Sequence, residues 1–123
     1  MKNDNANFKS DFKKRIYVFA IRLIRFIESL PRTEVSRVLG KQLLRSGTSV
    51  LANYIEAQAA SSRKDFTNFF HHSLKSANES KMWLSLLKDT GKGNKEEVEY
   101  LIKELTEISN VIASSIITLK GKR

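Results

Sequence analysis

The stretch QLLRSGTSVLANYIEAQAA, Gln42–Ala60, decides how this chain is read. It contains no proline and has the composition of a helix, yet polar side chains run along it. Gln42, Ser46, Ser49, Asn53 and Glu56 follow one another at steps of 4, 3, 4 and 3, the spacing of a packed helical seam. Leu39, Leu43, Val50, Tyr54 and Ala57 form one apolar face of the same helix. Leu44, Leu51 and Ile55 form a second, nearly opposite. The polar line falls between the two. Ser46, Gly47 and Ser49 are small and admit a second helix at close range. Buried amides and carboxylates need hydrogen-bonding partners. Arg45, backbone carbonyls, Asn78 and Glu79 are the partners the sequence offers. A satisfied seam of this kind sets the register of neighbouring helices; a polar ligand pocket is the alternative reading.

Outward from this stretch, the punctuation marks three more helices. Before it, Phe12, Ile16, Phe19, Leu23, Phe26 and Leu30 repeat at steps of 4 and 3, so a helix is expected over about 10–30. Pro31 ends it, because proline disfavours the α conformation in the residue before it. Thr33 is the expected N-cap of the second helix, about 34–60. Ser62 with Asp65 and Asn94 with Glu97 are capping boxes for helices over about 63–90 and 95–119. The GKGN run between the last two supplies a glycine C-cap. The third helix turns Phe66, Phe70, Ser73, Ala77, Leu84 and Leu87 inward. The fourth turns Val98, Leu101, Leu105, Ile108, Ile112, Ile116 and Leu119 inward. Short loops between four long helices predict an all-α, antiparallel up-down-up-down four-helix bundle over residues 10–120. Residues 1–9 and the last three are expected to be disordered or frayed.

The first helix has an apolar arc wider than a lone bundle buries. Beside its main seam run Tyr17, Ala20, Ile24 and Ile27, with Arg15, Arg22, Arg25 and Ser29 on the far side. Together with Leu44, Leu51 and Ile55 on the second helix, Tyr17 and Ile24 are candidate contacts of a homo-oligomer. Local burial by helix crossing is the competing explanation.

The 123 residues carry 22 Lys and Arg against 13 Asp and Glu, a net charge of +9. A surplus of this size draws the chain to polyanions. Residues 1–33 hold eight basic and three acidic side chains, while residues 94–123 hold five of each. The candidate phosphate contacts are therefore Lys13, Lys14, Arg15, Arg22 and Arg25 on the first helix. Arg37, Lys41, Arg63 and Lys64 are weaker candidates.

The absence of cysteine excludes disulfides, thiolate metal sites and a Cys nucleophile. His71 and His72 are adjacent, so on a helix they diverge by about 100° and do not form a chelating pair. RSGTS has no histidine or aspartate spaced to activate a serine. GKGN lacks the strand and spacing of a phosphate loop. Glu56 and Glu79 read as structural partners of arginine or asparagine. Trp83 reads as a packing anchor in preference to a base-stacking platform. No enzyme activity, cofactor or metal is expected. With no apolar run long enough to span a membrane and no signal core, a cytoplasmic protein is expected.

The run QLLRSGTSVLANYIEAQAASSRKDF, followed by LKSANESKMWLSLLKDTG, closely resembles a family of small bacterial four-helix-bundle proteins. That family includes proteins encoded within intervening sequences of 23S ribosomal RNA genes and the accessory variability protein of diversity-generating retroelements. The resemblance rests on Arg45–Ser49, Ala52, Asn53 and Glu56–Ala60. It also rests on Leu74, Lys75, Ala77, Glu79, Trp83 and Leu84, and it covers roughly Phe12–Gly91. Ser76, where the family usually has Glu, and Met82, where an aromatic is common, depart from the pattern. The resemblance implies an antiparallel bundle that assembles into rings, commonly a homopentamer. It implies a basic protein with no known catalytic activity. It further implies nucleic-acid binding and, for the retroelement branch, a reverse transcriptase as partner. Two readings follow: an oligomeric scaffold that binds structured RNA or RNA–DNA through phosphates, or a protein-interaction module that serves such a reverse transcriptase.

Overall fold

A computed structural model describes the backbone of residues 2–121 and the side chains of residues 11–121. It contains α1 (Lys2–Glu28), α2 (Glu34–Gln58), α3 (Arg63–Asp89) and α4 (Lys95–Lys120), with no strand among the described residues. Each helix packs on its neighbours in the chain, and α1 closes the bundle against α4. The helix α1 begins at Lys2, where the sequence suggested a disordered segment reaching residue 9. Residues 2–10 hold neither glycine nor proline, so nothing in their backbone chemistry stops the helix. Met1, Lys122 and Arg123 lie outside the described residues.

Side-chain oxygens close the helix starts. Thr33 Oγ1 accepts from the Ser36 amide at 3.2 Å, Ser62 Oγ from Asp65 at 3.1 Å, and Asn94 Oδ1 from Glu97 at 2.8 Å. At the end of α3, the Gly91 amide donates to Lys88 O and the Lys92 amide to Leu87 O. This pairing needs a left-handed residue, and Gly91 takes it with φ 68°.

The core is the seam read from the sequence. Phe12, Ile16, Phe19, Leu23 and Phe26 of α1, and Leu30 just beyond it, are buried against Leu43, Val50 and Tyr54 of α2 and the α4 row Val98–Ile116. Phe66, Leu39 and Leu119 are only partly buried, at the margins of this core. The α2 helix is wedged between α1 and α3 by its small residues. A Cβ on Gly47 would collide with the Leu23 side chain of α1. On the α3 side, the hydroxyls of Ser46 and Ser80 meet at 2.7 Å, and Ser73 Oγ donates to Val50 O at 2.8 Å. Two bulky seams would hold α2 and α3 further apart and break both of these contacts.

Candidate nucleic-acid interface

The basic side chains of α1 divide into two sets. Arg15 and Arg22 turn toward α4, not to an open far side. Arg15 donates from Nε to Glu104 Oε2 at 2.6 Å, and from Nη2 to Glu104 Oε1 at 2.9 Å and Glu107 Oε1 at 2.6 Å. One turn-pair further along, Arg22 makes a forked pair with Glu97 at 3.1 and 2.7 Å, and its guanidinium carbon lies 3.7 Å from the Tyr100 ring centroid. Hydrogen bonds to Glu104 and Glu107 raise the Arg15 pKa further, and the Glu97 bonds do the same for Arg22. In return, the Arg15 hydrogen bonds hold the Glu104 carboxyl below the usual carboxylate range. These two arginines clasp α1 to α4.

Lys13, Lys14 and Arg25 form the second set. All three are exposed and make no ion pair among the described residues. On α2, Arg37 is paired with Glu34 at 2.7 Å, both exposed, whereas Lys41 is exposed and makes no ion pair among the described residues. Arg63 and Lys64 are exposed at the start of α3.

The polar seam of α2 lies along its edge with α3. Arg45 joins two of its members: it donates to Gln42 Oε1 at 3.1 Å and forms an ion pair with Glu79 across the helix boundary. Trp83 Nε1 also donates to Glu79, at 3.0 Å. The Trp83 hydrogen bond, with Arg45 adding to it, holds the Glu79 carboxyl below its usual range. Ser49 Oγ donates to Arg45 O at 2.8 Å and Asn53 Nδ2 to Ser49 O at 2.9 Å, so both are satisfied within α2. Glu56 and Asn78 are exposed, outside this network: burial expected at Glu56 is absent because it lies on the solvent side of α2, while Tyr54 and Ala57 of the same turn are buried.

Of the candidate contacts between copies, Tyr17, Leu44 and Ile55 are exposed, at 56%, 40% and 41%. Ile24 and Leu51 are half-buried, and Leu51 packs against the core from its edge. Val35, Val38, Met82, Leu86 and Ile117 are also exposed apolar side chains, and sequence periodicity did not single them out. His71 is half-buried and His72 exposed. Among the described residues no cluster of three or more His, Cys, Asp or Glu is arranged to hold a metal. No helix among the described residues is long and apolar enough to cross a membrane.

Two comparisons bear on this arrangement. The family of 23S rRNA-intervening sequence proteins matches residues 9–114. This chain belongs to that family. The bundle of a family relative has been solved, a protein of unknown function from the S23 ribosomal protein family of Bacteroides thetaiotaomicron. It superposes on this intervening-sequence family member with a TM-score of 0.81 at 38% identity, covering 88% of this chain and 96% of that one. A search of curated proteins finds no match. The family match extends from α1 into α4, so all four helices belong to the shared fold.

What periodicity did not reveal in this family member is the acidic half of the α1–α4 clasp. Arg15 and Arg22 are seven residues apart, as are Glu97 and Glu104. In an antiparallel pair these two heptad steps face each other, and that matched spacing is the signal that would have found the pairing.

Proposed function

We propose that this protein is a non-catalytic, oligomeric scaffold that binds structured RNA through its phosphates. The observation that carries this reading is a set of exposed cations with no ion-pair partner among the described residues: Lys13, Lys14, Arg25, Lys41 and Lys64. An unpaired surface cation meets a phosphate without first giving up a carboxylate, whereas Arg15 and Arg22 do not. The net charge of +9 and the family's association with 23S ribosomal RNA genes support a polyanionic partner of this kind. Lysine-rich contacts to phosphate read charge and shape, not base sequence. The exposed apolar side chains of α1 and α2 support assembly of several copies, and assembly repeats each weak contact so that their effects add.

Fluorescence anisotropy with a labelled RNA stem-loop, over a salt series, tests the reading. The expected result is binding whose logarithm falls linearly with the logarithm of salt. The charge reversals Lys14→Glu and Arg25→Glu together should weaken binding equally for unrelated stem-loops, and lower the salt slope by roughly 1.5 to 2 units. Affinity unchanged by the double reversal removes α1 from the interface. No binding even at low salt overturns the reading.

A further inference from the structure

The turn joining α1 to α2 borders an open groove into which Arg32, Ser36 and Lys41 face. Ser36 is 2% exposed, and its hydroxyl is the one buried side-chain polar atom among the described residues without a hydrogen-bond partner. Leaving a buried hydroxyl unmatched costs about 1–3 kcal/mol, so an external acceptor or donor at that spot is favoured. Ser36 sits in the first turn of α2, a helix of 25 residues. Thr33 Oγ1 already caps the Ser36 amide, but the Glu34 and Val35 amides have no acceptor inside the helix, and the helix dipole adds positive potential there.

The charged groups facing the groove are Arg32, Arg37 and Lys41 against Glu28 and Glu34. Arg37 holds Glu34 through two hydrogen bonds, at 3.3 and 2.7 Å, which cancels that pair. Glu28 is exposed, leaving Arg32 and Lys41, which make no ion pair among the described residues, against one carboxylate.

We propose that this groove is a phosphate-binding site. One phosphoryl group accepts the Ser36 hydroxyl and the first-turn amides of α2, and Arg32 and Lys41 balance its charge. The group is either a backbone phosphate of RNA or a free phosphate, and the site stands whether or not the protein binds RNA.

Amide chemical shifts of ¹⁵N-labelled protein, titrated with inorganic phosphate against a chloride control of equal ionic strength, test it. Saturable shifts at Glu34, Val35 and Ser36 are expected with phosphate alone. Ser36→Ala should weaken phosphate binding about five-fold, the worth of one hydrogen bond, and Lys41→Ala should weaken it further, with both variants melting as cooperatively as the parent. A stem-loop RNA that shifts the same amides, and loses affinity in Arg32→Ala, identifies the phosphate as part of RNA. Shifts from inorganic phosphate with no effect of RNA identify a free phosphate as the ligand. Shifts that match the chloride control, or a Ser36→Ala variant with unaltered phosphate affinity, overturn the proposal.

Discussion

Arg15 places its guanidinium between two carboxylates of α4, and the Glu104 side chain beneath it is only 16% exposed. Its partner remains 36% exposed, so solvent screening limits the pair to about 1 kcal/mol. The pH dependence has a definite sign. The folded-state pKa of Glu104 is lowered, so its contribution is fully present above the ordinary glutamate value of about 4.3. It is lost as pH falls through the depressed value. Glu104→Gln should therefore lower stability by about 1 kcal/mol near neutral pH, with the deficit shrinking at about pH 3. Urea unfolding of parent and variant at both pH values measures this; an equal deficit at both would assign the loss to packing and not to charge.

At the scale of the element, α2 is defined by what it lacks on its two inner flanks. Gly47 lets Leu23 of α1 occupy the space of a side chain, and Leu23 is fully buried. Alanine is the better helix former by about 1 kcal/mol, but overpacking a full core costs about 1–3 kcal/mol. Gly47→Ala should therefore destabilise the bundle. Leu23→Ala removes the obstacle, so the double variant should be more stable than the sum of the two single losses predicts, as thermal melts in a double-mutant cycle would show. The helices themselves were legible in the sequence because their signals are local: apolar steps of 4 and 3, Thr33, Ser62 and Asn94 at the caps, and Pro31 and Gly91 at the breaks. The pairing of Arg15 and Arg22 was not, because their carboxylates lie 75 to 92 residues away. A wheel of α1 alone assigns both arginines to solvent. Ser36 was missed for a related reason, since no periodicity marks a hydroxyl buried without a partner. The seam was legible in part. Arg45 and Glu79 follow from the chemistry of a polar line next to α3, while the exposure of Glu56 depends on which side of α2 the neighbouring helices cover.

On the whole-molecule scale, Tyr17, Leu44 and Ile55 give α1 and α2 apolar surface that the single bundle leaves in water. If that surface is where copies meet, Leu44→Glu with Ile55→Glu should shift the protein toward monomer, since a carboxylate buried without a partner opposes association. Light scattering coupled to size exclusion reads the outcome directly. A parent that elutes as a monomer at micromolar concentration would remove assembly from the proposed function.

The four boundaries between helices are not of one kind. Close contact is most extensive between α2 and α3, where hydroxyls and small side chains interlock, and least between α1 and α4, where arginine and glutamate span the gap. Ionic strength acts more strongly on the second boundary, which two arginines bridge, than on the first, which carries the Arg45–Glu79 pair beside its hydroxyls. A polyanion that took Arg22 away from Glu97 would remove one of the two arginine bridges from α4 to α1 and leave the buried apolar row of α1 in place. Whatever anion docks beside that edge competes with Glu97 and Glu104 for the same two guanidinium groups.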